Sequence, residues 1–290
     1  VCIVAAKYFK GTGWVGVKNR DRNYKPTVKI RQSFKKDIER LYIWDEKTKY
    51  TEGLNEFGVC ILSAAVAVKD DEKEGSKEEE NPDKVFYSPD GKKVRTALFE
   101  KTVDKALKKL IELEIAGNTL VFDTETLYLL EGAFDEDDNY QHVVKKIPKT
   151  ETIVRTNHGV LIPWAGYQND EESDDHERAA RISSESRLKK VREDIKKITV
   201  PENMFDCVSD TSNKDPQLNP IRLEKTHGKT IMRTTGQLMI VSSEKTLHYR
   251  PIWSEVEFDF GKIDHPSKKT SFEVVSSKRL LSFKECVEKA

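Results

Sequence analysis

The chain has no excess charge of either sign. Its 50 lysines and arginines are matched by 50 aspartates and glutamates, so no net field steers a polyanion to the surface. This speaks against a dedicated nucleic-acid binder, because the basic stretch RLKKVREDIKK at 187–197 is offset elsewhere and no recognition motif accompanies it. Long hydrophobic runs are also missing. None approaches the roughly 18 apolar residues of a membrane span, and the first residues lack the basic-then-apolar layout of a secretory leader. The expectation is a cytoplasmic protein with no membrane span. Cysteine is scarce: Cys2, Cys60, Cys207 and Cys286 lie far apart without a CxxC pair, which argues against a zinc site or a disulfide framework. The acid-rich stretch 170–177 lacks the alternating ligands and central glycine of a calcium loop. No metal or cofactor is expected.

No linker or internal repeat divides the sequence, and one compact unit over 1–290 is expected. Apolar or β-branched runs at 2–8, 14–17, 41–44 and 59–68, broken by GTG and NEFG, read as strands. Two are almost continuously apolar, as in strands covered on both faces. The run VCILSAAVAV at 59–68 also fits a buried helix. Residues 70–84 hold eight acids and three lysines and have almost nothing to bury, so a mobile acidic loop is expected at about 69–84. The spacing of Phe99, Val103, Ala106, Leu107, Leu110 and Ile111 predicts one helix over 96–115, with Gly117 as its stop. TLVFD and LYLLEG read as a hairpin, and YQHVVKKI and TIVRTNHG extend the β-rich character. The segment 170–198, acidic at its start and basic at its end, reads as a second long helix. TIMRTTGQLMIVSS, TLHYRPI and EVEFDF read as strands, and a short helix is expected after Ser277.

Cys2 heads the first apolar run, where it is either a buried strand residue or a nucleophile. A thiol attacks as thiolate, and an ordinary cysteine, with a pKa of about 8.5, needs a base or a cation beside it. None of the six histidines lies in a papain-like or caspase-like signature. Another base is at hand: once whatever precedes Cys2 is removed, its own α-amine, with a reference pKa of about 7.7–8.0, can take the thiol proton.

Cys2 is followed by Lys18-Asn19-Arg20-Asp21, then Gly53-Leu54-Asn55-Glu56-Phe57-Gly58-Val59, then Arg155-Thr156-Asn157-His158. This order resembles the cysteine N-terminal-nucleophile (Ntn) amide hydrolases: choloylglycine hydrolase, penicillin V acylase and the isopenicillin N acyltransferase relatives. VRTALFEKTVDKAL, NTLVFDTETLYLLEG, SSESRLKKV and RTTGQLMIVSSEKTLHYR are similar to the acyltransferase branch, so the likeness runs through roughly residues 2–250.

The resemblance implies an α+β fold, the four-layer αββα sandwich, with two antiparallel sheets face to face and helices outside. It implies that Cys2 is the nucleophile and that Asp21 accepts a hydrogen bond from the α-amine, although KNRDRN also suits a turn aspartate. Lys18 stands where the family usually has arginine, keeping the charge and losing the planar fork. Asn157 resembles the asparagine whose amide helps hold the oxyanion, while TNHG is also a good turn sequence. Ser63 falls where the bile-salt branch has a catalytic asparagine, and is otherwise a strand residue. Arg187 resembles an arginine supporting the nucleophile region, or is one more charge on a solvated helix. Asn55 and Gly58 resemble the turn that places the following strand. The implied activity is cleavage of a linear amide in a small-molecule substrate through a thioester. Hydrolysis, acyl transfer and a catalytically inactive binding protein on the same scaffold remain open, as does assembly into a homo-oligomer. Val1 departs from the pattern. A non-AUG start codon translated literally would place valine where methionine is made and then removed.

Overall fold

The computed structural model describes residues 2–66, 90–171, 173–222, 232–260 and 273–276. The expected acidic loop, the expected helix after Ser277 and Cys286 lie outside the described residues.

In chain order the elements are β1 (Ile3–Phe9), β2 (Gly13–Arg22), β3 (Thr27–Lys35), β4 (Ile38–Asp45), β5 (Thr51–Asn55), β6 (Cys60–Ala64), α1 (Asp90–Ala97) and α2 (Val103–Glu112). They continue with β7 (Gly117–Phe122), β8 (Leu127–Phe134), β9 (Tyr140–Lys146), β10 (Ile153–Arg155), α3 (Asp175–Lys197), a 3-10 helix at Pro201–Val208, β11 (Arg233–Val241), β12 (Thr246–Pro251), β13 (Glu255–Phe260) and β14 (Glu273–Ser276). A six-stranded sheet has the order β10-β1-β2-β11-β12-β14, and an eight-stranded sheet the order β13-β3-β4-β5-β6-β7-β8-β9. The fold is thus mixed α/β, with two large sheets and few helices.

Both sheets depart from the all-antiparallel pattern at one edge, where β14 pairs parallel with β12 and β13 parallel with β3. A tight hairpin joins only antiparallel neighbours, and each of these two strands pairs with a strand that does not adjoin it in the chain. Two further strands, β3 and β5, form where no apolar run marks them: TVKIRQSFK alternates buried and half-buried positions, and TEGLN is short. The run 59–68 contributes strand β6, not a helix.

Strand alternation divides the interior into three main cores. Val4, Ala6, Leu62, Leu120, Leu238 and Ile240, drawn from both sheets, share one core with Cys2. Ile3, Ala5 and Val17, together with Met239, meet Leu188, Val191 and Ile195 of α3 and Met204 and Phe205 of the 3-10 helix. Ile61, Val121 and Leu130 meet Val94 of α1 and Val103, Leu107 and Leu110 of α2. Strands such as β1 and β6 are buried on both faces, which is why their sequences are almost continuously apolar.

The single helix expected over 96–115 is two. Thr102 is extended (φ −137°, ψ 153°) and its hydroxyl accepts from Lys105 N at 3.4 Å, which starts a new helix there. The carbonyls freed by the break go to a distant partner: Asn55 Nδ2 donates to Leu98 O at 3.0 Å and Glu100 O at 2.7 Å. Gly117 does not stop α2, which ends at Glu112. It opens β7 at φ +120°, where a Cβ would lie 2.6 Å from Ala64 O.

Candidate active site

The site is built on β2, where the sequence KNRDR runs fully extended and nearly wholly buried. Successive side chains leave a strand on opposite faces, so this run is split in two. Lys18, Arg20 and Arg22 reach carboxylates of the eight-stranded sheet, whereas Asn19 and Asp21 turn toward α3 and the segments after it. Lys18 Nζ is bonded to Glu52 and to the Ser63 carbonyl, and lies 4.5 Å from the centre of the Tyr50 ring. Arg20 Nη1 donates to Glu52 Oε2 at 2.8 Å. Arg22 Nε donates to Asp45 Oδ2 at 3.0 Å.

Cys2 stands just before β1 and is only 4% exposed. Its nitrogen donates to Asn157 Oδ1 at 2.6 Å, and Arg22 Nη1 donates to its Sγ at 3.8 Å. Burial alone would raise the thiol pKa, but the charges of Lys18, of the chain's terminal amine and of Arg22, in that order, outweigh burial and the opposing Asp21, and bring it down to about 7. The other described thiols behave oppositely. Burial pushes Cys60 well above the ordinary value and Cys207 up to about 12. Among them only Cys2 has a lowered thiol pKa, the direction that favours the thiolate.

Asp21 is fully buried on the α3 side. Its Oδ1 accepts from Thr234 Oγ1 at 2.8 Å and its Oδ2 pairs with Arg187 Nη1 at 3.2 Å. The resemblance has Asp21 accept from the Cys2 nitrogen; in the structure that nitrogen donates to Asn157. Arg187 is not on a solvated helix face: its side chain is wholly buried, its Nε donates to Ser183 O at 3.2 Å, and Arg222 lies beside it. Burial and Arg222 push Arg187 down to about 9 against the pull of Asp21 and Cys2, which leaves it protonated at neutral pH.

Asn157 lies two residues beyond β10 and links the two sheets. While Oδ1 accepts from Cys2 N, its Nδ2 donates to the Ala65 carbonyl just after β6. These two partners also settle which way the amide points. Its backbone is held in turn by α3: Asn157 N donates to Ser184 Oγ at 3.1 Å, and His158 Nδ1 lies 2.8 Å from the same oxygen. An amide nitrogen carries two hydrogens, and Ala65 O takes one of them.

Ser63 is brought to the site through its backbone. Its carbonyl meets Lys18, while its hydroxyl is 3.0 Å from Thr119 Oγ1, opposite it on β7. Arg22, Asp45, Glu52, Tyr50 and Arg222 belong to the same assembly and were not singled out from the sequence. For Arg22 a signal existed, because Lys18, Arg20 and Arg22 repeat at the strand period of two. For the others none did, since strand pairing across 20 residues or more brings them in.

Among the described residues, no group of three His, Cys, Asp or Glu side chains is placed to hold a metal ion, and no helix is long and apolar enough to cross a membrane.

No family model matches the chain, and no curated protein matches it. Among solved structures, penicillin V acylase from Agrobacterium tumefaciens overlaps with a TM-score of 0.44 at 11% identity, covering 87% of this chain and 86% of that one. The C2A mutant of conjugated bile acid hydrolase from Clostridium perfringens overlaps with a TM-score of 0.48 at 12% identity, covering 87% of this chain and 89% of that one. Neither TM-score reaches 0.5, and the functional reading rests on the site's own residues.

Proposed function

We propose that the protein is an amide hydrolase of the N-terminal-nucleophile type, a four-layer αββα sandwich in which Cys2 becomes the first residue and attacks a small-molecule amide. One observation carries the proposal: the Cys2 sulfur faces a guanidinium N–H at 3.8 Å while the nitrogen of the same residue is held by Asn157 at 2.6 Å. Nucleophile and base then belong to one residue and are oriented from opposite sides.

In the first step the α-amine takes the thiol proton, and Sγ bonds to the amide carbon as the carbonyl electron pair moves onto oxygen. The remaining Nδ2 hydrogen of Asn157 donates to that oxyanion, and Lys18 and Arg22 supply the surrounding positive charge. The ammonium then gives its proton to the leaving nitrogen, the C–N bond breaks, and a thioester remains. Water attacks with the α-amine again as base, the C–S bond breaks, and the acid and the free thiol are restored. Asp21, held by Arg187 and Thr234, fixes the strand that carries Lys18 and Arg22. Hydrolysis and acyl transfer share every step as far as the thioester.

The test is a panel of amides, from N-acyl amino acids to phenoxyacetyl and bile-acid conjugates, assayed with wild type and Cys2→Ala, with and without an acceptor amine. Wild type turns over at least one member, Cys2→Ala falls to the uncatalysed background, and the intact mass of the active protein begins at Cys2. Turnover that survives Cys2→Ala, or an active protein that still carries a residue before Cys2, overturns the proposal.

A further inference from the structure

The arginine that meets the thiol is itself held by a buried carboxylate outside the proposed reaction steps. Asp45 ends β4 and is fully buried. Its Oδ1 accepts from Lys47 N at 3.1 Å and Thr48 N at 3.3 Å, so the turn after β4 fixes the carboxylate. Its Oδ2 accepts from Tyr24 Oη at 2.8 Å and Arg22 Nε at 3.0 Å, and Arg20 Nη2 lies 3.7 Å away. Arg22 is thus gripped through Nε, while its Nη1 reaches both Cys2 Sγ, at 3.8 Å, and the Asp21 carbonyl, at 2.8 Å. The same turn delivers Tyr50, whose ring lies 4.5 Å from Lys18 Nζ and 5.5 Å from the Arg22 guanidinium.

We propose that Asp45 is a positioning residue for the Cys2 thiol: anchored by its own turn, it holds the Arg22 guanidinium against the sulfur, and without it the thiolate loses its hydrogen-bond donor. This rests on Cys2 being the nucleophile. The charged and titratable groups around the thiol are the chain's terminal amine, Lys18, Asp21 and Arg22 from β2, Tyr50 from the turn after β4, Arg187 from α3, and Arg222. Lys18 adds charge from its fixed place on Glu52, and among the described residues Arg22 donates a hydrogen bond to the sulfur.

The sign of one measurement separates positioning from plain electrostatics. A carboxylate near a thiolate disfavours it, so losing the Asp45 charge by itself would lower the thiol pKa. Releasing Arg22 from the sulfur would raise it. Cys2 alkylation by iodoacetamide is followed against pH by peptide mass in the full-length protein, where wild type has a midpoint near 7. Arg22→Gln and Asp45→Asn each raise that midpoint by about one unit, seen as roughly tenfold slower alkylation below it. An Asp45→Asn midpoint that is unchanged or lower overturns the proposal, as does an unchanged Arg22→Gln midpoint. Should Asp45→Asn unfold, betrayed by rapid labelling of the buried Cys60 and Cys207, Asp45→Glu moves the carboxylate by one methylene and carries the test with the same signs. Alkylation reports on the thiol whether or not any amide is cleaved, so a failure here is distinct from a failure of the amide panel.

Discussion

Asp21 and Arg187 form an ion pair that water does not reach, at 3.2 Å with both side chains fully buried. Removing one partner of such a pair leaves an uncompensated charge, typically costing about 3–5 kcal/mol, whereas replacing both is far cheaper. Arg187→Met should therefore destabilise the protein by about that amount in urea unfolding. The double variant Asp21→Asn/Arg187→Met should recover much of the loss. Both residues could be named from the sequence because they fall in ordered motifs. Their pairing could not, since Asp21 alternates away from Lys18 and Arg20 on β2 and meets a helix more than 160 residues later. Arg22 shows the converse. It follows the motif by one residue and shares the period-two spacing of Lys18 and Arg20, but its place at the sulfur shows only once the strands are paired.

At the scale of elements, the loop after β10 is tied to α3 through His158. Burial, and behind it the Arg181 charge, push this imidazole down to about 4 against the opposing Glu185, so the native state keeps it neutral. The unfolded chain takes up a proton below about 6.5 while the native chain does not. Stability is therefore full above about pH 6.5 and falls as the pH drops toward the folded value. The urea midpoint should decrease between pH 7 and pH 5, and His158→Gln should lose that part of the decrease. α3 was legible as a helix but starts at Asp175, later than the acidic segment from 170 suggested: Asp174 accepts from Glu177 N at 2.8 Å and Glu177 reaches back to Asp174 N, a local capping box. The break between α1 and α2 was not. Thr102 is a weak cap by itself, and Asn55, which takes the freed carbonyls, is 43 residues from Leu98 and 45 from Glu100.

At the scale of the whole molecule, the two sheets approach closely where β2 faces β6 and β7. A Cβ on Gly16 would lie 2.7 Å from both Leu62 Cδ1 and Phe122 Cζ. Gly16→Val therefore overfills the core between the sheets, and should cost about 1–3 kcal/mol, read as a lowered melting temperature. By itself the sequence determined where most strands and the long helix run, because alternation, continuous apolar runs and helix caps act over a few residues. It also marked Cys2 as the thiol to watch. Only the tertiary structure decided which charges surround that thiol. Arg22 at the sulfur, Asp45 behind it, Glu52 on Lys18 and Asn157 on the Cys2 nitrogen come from separate strands and loops. Their closeness is fixed by strand register and by the packing of one sheet on the other, and neither leaves a trace at short range in the chain.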